Sequence, residues 1–93
     1  MQICVRLFAG FRAVAGIEEL SLTLLPGANV RSALLALIKQ QPELERELPL
    51  AGGRLPQHVN VFLNGKNVLV REGLDTPLSE GDVLALFPPV GGG

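Results

Sequence analysis

Apolar and polar residues alternate through the opening segment. Ile3, Val5 and Leu7 share one phase and Gln2, Cys4 and Arg6 the other. A period of two with β-branched residues predicts a half-buried strand, because successive side chains of a strand point to opposite faces. The alternation lapses between Gly10 and Gly16, where a short irregular stretch is expected. It resumes from Glu19 to Leu25, with Leu20, Leu22 and Leu24 in one phase and Glu19, Ser21 and Thr23 in the other. Two such runs joined by a glycine-containing loop predict a hairpin.

The dipeptide Pro26-Gly27 punctuates the chain, and after it the period changes. Val30, Ala33, Leu34, Leu37 and Ile38 form one apolar stripe at helical spacing, with Arg31, Ser32 and Lys39 off it. Asn29 is placed to cap this helix, since its side-chain oxygen can accept from an amide of the first turn. Pro42 breaks the pattern, and Pro42-Glu43-Leu44-Glu45 predicts a second short helix with proline in its first turn. Residues 49–56, with Gly52 and Gly53, read as a surface loop. His58 to Leu63 alternates again as a third strand, and Asn64-Gly65 after it is a strong turn dipeptide. A short strand is expected at Val68 to Val70. Leu74 and Leu78 are expected to plug the core, Ser79 to Asp82 to turn, and Val83 to Phe87 to form the last strand. Pro88-Pro89 ends it by removing ladder donors.

The predicted order is strand, strand, helix, strand, short strand, strand. A helix between two hairpin-like halves must cover one face of the sheet. The order is that of an α+β, β-grasp (ubiquitin-like) fold, with a mixed sheet of four to five strands on one main helix. A single domain is expected over residues 1–87, followed by a flexible tail, Pro88-Pro89-Val90-Gly91-Gly92-Gly93. No internal repeat or linker interrupts the domain.

Composition adds exclusions. With 93 residues, 47% of them apolar, the chain has material for one core. A net charge of −1 lacks the basic excess that nucleic-acid or anionic-membrane binding needs, so neither partner is expected. No run reaches the about 18 apolar residues of a spanning helix. The first residues lack the layout of a signal peptide, and one cysteine cannot form an internal disulfide, so a cytoplasmic protein is expected.

The tail carries the most information. A glycine-rich end is ordinarily a frayed terminus. Here a strand leads into two prolines, which favour an extended exit, and glycines come last. Without side chains they can thread a narrow channel in another protein. From Pro88 to Gly93 the tail reaches roughly 20 Å when fully extended. A Cβ on the last residues would narrow the approach to the carboxyl group.

Phe87-Pro88-Pro89-Val90 followed by glycines resembles the terminus of the MoaD/ThiS family of ubiquitin-like sulfur carriers. Leu7-Phe8-Ala9-Gly10-Phe11-Arg12, with Gly16 beyond, resembles the opening of its MoaD branch, and Gly81-Asp82 before the last strand is also shared. The resemblance covers most of the chain and is weakest from Pro42 to Pro56. It implies that the carboxyl of Gly93 is adenylated by an E1-like enzyme of the MoeB/ThiF type using ATP and magnesium. A persulfide donor then converts it to a thiocarboxylate. Gly91 and Gly92 would thread the partner's channel, and Phe87, Pro88, Pro89 and Val90 would meet the partner where the tail leaves the fold. The chain would bind no cofactor of its own and, by itself, not be an enzyme. As the small subunit of molybdopterin synthase it would deliver sulfur within a MoaE-like large subunit. The third terminal glycine departs from the usual pair. The length, the Val59 to Asn64 strand and the Gly73-Leu74 pair resemble CysO-type carriers, which serve a CysM-like synthase in cysteine biosynthesis. Carriers for transfer-RNA thiolation and ubiquitin-like modifiers joined to lysines remain open beside these.

Other reactive residues read as structural. Cys4 sits out of phase with the apolar face and has no histidine near it in sequence, so a half-exposed structural thiol is expected. His58, the only histidine, cannot define a metal site or a triad. Glu43, Glu45 and Glu47 alternate with Leu44 and Leu48 as a solvated face. Arg6, Arg12, Arg54 and Lys66 read as scattered solvated bases. Gly52 and Gly53 lack the strand and helix that frame a phosphate loop.

Overall fold

The computed structural model of the chain describes residues 1–50, 54–56 and 59–88. Five strands form one mixed sheet: β1 (Gln2–Leu7), β2 (Glu19–Thr23), β3 (Asn60–Leu63), β4 (Lys66–Asn67) and β5 (Val83–Phe87). Their spatial order is β2-β1-β5-β3-β4. β1 and β5 lie side by side and parallel in the centre; every other pairing is antiparallel. Among the described residues there are two α-helices, α1 (Ala9–Ala15) and α2 (Val30–Gln40). This is the β-grasp arrangement that the order of elements predicted.

The alternation sorts cleanly into two faces. Ile3, Val5, Leu7, Leu22, Val61, Leu63, Leu84 and Leu86 join Val30, Ala33, Leu34 and Leu37 of α2 in one buried cluster. Most of the favourable free energy of folding comes from this burial, at about 25 cal/mol per Å² of apolar surface. Leu44, in the turn of 3-10 helix at Pro42–Arg46, and Leu48, two residues beyond it, are buried in the same core, and Leu74 and Leu78 are buried as expected. The N-terminus of α2 carries a full capping box. The Asn29 side chain accepts from the Ser32 amide at 2.9 Å, and the Asn29 amide donates to Ser32 Oγ at 3.4 Å.

Two segments differ from the sequence reading. The stretch between Gly10 and Gly16, expected to be irregular, belongs to α1, which starts at Ala9 and ends at Gly16 in the left-handed region at φ 75°. Only Phe11 of this helix is buried, so it leaves no apolar stripe in the sequence. Val68–Val70, expected as a strand, is a turn of 3-10 helix, and pairing with β3 falls instead on Lys66–Asn67. The Asn67 side chain accepts from the Leu69 amide at 2.9 Å and curls the backbone. That local bond overrides the strand preference of two valines. His58, Gly52 and Gly53 lie outside the described residues.

Candidate partner interface at the end of the last strand

The outward phase of the sheet is where the structure departs from an ordinary solvated face. Phe87 is the last residue of β5, and its side chain points away from the helices. Register places Asn60 opposite Phe87 and Phe62 opposite Ala85, and β1 runs alongside with Arg6 opposite Ala85. Phe8 follows β1 directly, its amide donating to the Leu86 carbonyl at 3.2 Å. Three aromatic rings therefore meet on three adjacent strands. Phe8 stacks on Phe87 with ring centroids 4.4 Å apart and planes 11° from parallel. Phe62 meets Phe87 edge-on at 5.4 Å and 78°. Both are favoured geometries of ring quadrupoles.

Two guanidinium groups complete the cluster. Arg6 Cζ lies 5.5 Å and Arg12 Cζ 5.6 Å from the centroid of Phe8. Each cation–π contact at such an exposed place contributes about 0.5–1 kcal/mol. Arg12 is also anchored by its Nε, which donates to the Leu7 carbonyl at 3.2 Å, and lies 3.5 Å from Glu18. Arg6 lies 3.9 Å from Glu19, an exposed pair that adds little stability. The turn that aims Phe8 holds Ala9 at φ 50°, a left-handed conformation that costs a non-glycine residue about 1–2 kcal/mol. The surrounding contacts maintain it.

Cys4 is half-buried on the same outward face, with Sγ 4.0 Å from Glu19 Oε2. Burial first, and the Glu19 carboxylate second, push its thiol upward, against a smaller pull from Arg6. It is therefore a poor thiolate, in keeping with a structural role. Among the described residues, no group of three or more His, Cys, Asp or Glu is placed to hold a metal ion. No helix there is long and apolar enough to cross a membrane. Surface hollows lined by Thr23 to Ala28 and by Leu35, Ile38, Pro49 and Leu50 include none of the three rings.

Of the residues predicted to meet a partner, Phe87 is at the centre of the cluster. Pro88 follows it, its carbonyl accepting from Asn60 Nδ2 at 3.1 Å. Pro89, Val90, Gly91, Gly92 and Gly93 lie outside the described residues. The sequence reading gave no site role to Phe8, Phe62, Asn60, Arg6 or Arg12. Arg6 and Arg12, expected to be scattered solvated bases, converge on Phe8. A trace was present: Phe8 and Phe62 occupy the polar phase of alternating strands, where an aromatic ring has no core to fill, whereas Phe87 lies in an apolar run that carries no such signal.

The arrangement is a face of half-buried aromatic rings and exposed guanidinium groups at the end of the last strand, suited to docking another protein rather than to enclosing a small molecule. The family model described as the ThiS family matches residues 5–93. The chain belongs to the ThiS/MoaD family of ubiquitin-like sulfur carriers. Carriers of this family are small non-catalytic proteins. The chain is 36% identical to small archaeal modifier protein 3 of Haloferax volcanii over 93 residues, the whole of both chains. It is 32% identical to the molybdopterin synthase sulfur carrier subunit of Chlamydomonas reinhardtii, again over the whole of both. Its fold superimposes on the crystal structure of small archaeal modifier protein 1 from Haloferax volcanii with a TM-score of 0.88, 36% identity and full coverage of both chains. A more distant ThiS/MoaD carrier has been solved with its partner. One chain in the complex of subunits 1 and 2 of the molybdopterin-converting factor of Helicobacter pylori aligns along its full length with the whole of this chain, at 26% identity and a TM-score of 0.62.

Proposed function

We propose that this carrier takes sulfur on the carboxyl group of Gly93 and delivers it as a thiocarboxylate. The carboxylate oxygen attacks the α-phosphate of ATP in an E1-like enzyme, pyrophosphate leaves, and an acyl adenylate forms. ATP and magnesium enter with that enzyme. The terminal sulfur of a persulfide donor then attacks the acyl carbon, and AMP leaves. A thiol of the donor attacks the remaining S–S bond and becomes half of a new disulfide, which frees the thiocarboxylate. What this chain contributes is a deliverable carboxyl and a docking face. The observation that carries the reading is the aromatic cluster at Phe87, where the last strand hands over to a segment ending in three glycines.

The acceptor we favour is the active site of a MoaE-like large subunit, which makes the chain the small subunit of a molybdopterin synthase. Support comes from the full-length relationship to a molybdopterin synthase sulfur carrier subunit and from the MoaD-like opening at Phe8 and Arg12. A second reading, a modifier joined through Gly93 to lysines of other proteins, is favoured by the 36% identity to small archaeal modifier protein 3.

Intact-mass measurement tests the chemistry. After incubation with an activating enzyme, ATP and a sulfur donor, the chain should gain the mass difference between sulfur and oxygen and lose it on hydrolysis. An unchanged mass, in a mixture that thiolates another carrier, would sink the sulfur-delivery reading. Branched glycine remnants on cellular lysines would then favour the modifier.

A further inference from the structure

We infer that Asn60 is a positioning residue, which aims the C-terminal segment by gripping the carbonyl of Pro88. The inference rests on the reading of Gly93 as the reacting group and adds to it the residue that sets the line of departure.

The ladder between β3 and β5 ends at the pair Asn60 and Phe87. One residue further, no β3 amide faces the Pro88 carbonyl. The bonded pairs of this antiparallel ladder alternate, falling at Phe62 with Ala85 and at Asn60 with Phe87, so the Val59 amide points the other way and donates to the Pro56 carbonyl at 3.1 Å. Asn60 fills the gap with its side chain, Nδ2 donating to Pro88 at 3.1 Å. The chemistry settles which way this amide points. Flipped, its oxygen would face the carbonyl oxygen, two acceptors without a proton between them.

The grip falls on the bond that matters for direction. The pyrrolidine ring fixes φ of Pro88, and Pro89 after it disfavours the helical range of ψ. Fixing the carbonyl fixes what remains of ψ. Just upstream, Phe87 is held between Phe8 and Phe62. The segment therefore starts from one defined vector, and less rotational freedom is lost when it enters a partner's channel. Docking of the folded face does not need this bond, so its loss should be felt in turnover and not in recognition.

The test compares Asn60→Asp and Asn60→Thr with the parent protein in ATP–pyrophosphate exchange by the E1-like enzyme. Aspartate keeps the size and removes the donor. Threonine favours a strand and is too short to reach, so it preserves the fold if aspartate does not. Both variants should lower kcat about three- to tenfold, the value of one neutral hydrogen bond, with KM unchanged. The carbonyl carbon resonance of Pro88 should move in both. Unchanged kcat in a folded variant, or a rise in KM alone, overturns the inference. Deletion of Gly93 in the same assay separates the two ideas. If that deletion leaves exchange intact, the reading of Gly93 fails. If it abolishes exchange while both Asn60 variants match the parent, only the positioning role fails.

Discussion

Along β5, Leu84 and Leu86 point inward and are fully buried, while Val83, Ala85 and Phe87 point outward and stay half-buried. The inner face is held by area. Leucines and valines from four strands and α2 interdigitate, and almost any exchange that preserves volume should be tolerated there. The outer face near Phe87 is held by direction: stacked and edge-on rings, guanidinium groups over a ring face, and one side-chain amide on a carbonyl. Each contact is weak. Together they hold the end of β5 in one geometry without covering it. The difference teaches that in this fold the core contacts and the face proposed for partner docking sit on opposite sides of the same strand, one residue apart.

The sharpest way to break that division is to remove Gly93. Sulfur loading should be abolished, while the thermal midpoint stays unchanged, because Gly93 has no side chain to contribute to the core. A clear fall in the midpoint would show that the end of the chain also supports the fold. Next in size is Leu86→Ala, which should cost about 2–5 kcal/mol in urea unfolding by leaving a cavity. Phe87→Ala, the adjacent position on the other face, should cost less stability. It removes two ring contacts of about 0.5–1.5 kcal/mol each and should mainly raise the KM of the activating enzyme. Equal destabilisation by the two substitutions would erase the distinction between the faces.

Two smaller effects sharpen it. Asn29→Ala removes the cap of α2 and should cost about 1 kcal/mol with no effect on partner binding. Cys4 gives a pH readout of the outer face. Burial and the Glu19 carboxylate both disfavour its thiolate. At a given alkaline pH, alkylation should therefore be slower in the folded protein than in the unfolded chain. Glu19→Gln removes a charge that raises the thiol pKa, so the alkylation profile should shift to lower pH. An unshifted profile would mean that burial alone sets the behaviour of this thiol.

Local features were legible in the sequence because their causes are local. The cap at Asn29 needs only a side chain and an amide three residues on, and the Asn64-Gly65 turn needs left-handed backbone, which both residues adopt here at φ 49° and 88°. α1 leaves no periodic signal because it is short and only Phe11 in it is buried. Val68–Val70 was misread because its composition favours a strand, while one side-chain bond from Asn67 decides otherwise.

The sequence by itself determined the order of the main strands around α2 and the two phases of β1, β2 and β3, both of which depend on neighbours along the chain. Tertiary structure alone decided that Phe8, Phe62 and Phe87 meet, that Arg6 and Arg12 converge on one ring, and that Asn60 reaches Pro88. Those contacts join residues up to 79 positions apart. They follow from the parallel pairing of β1 with β5 and from the register of β3. Register is set by how the buried faces fit together, and no pattern along a single strand encodes it.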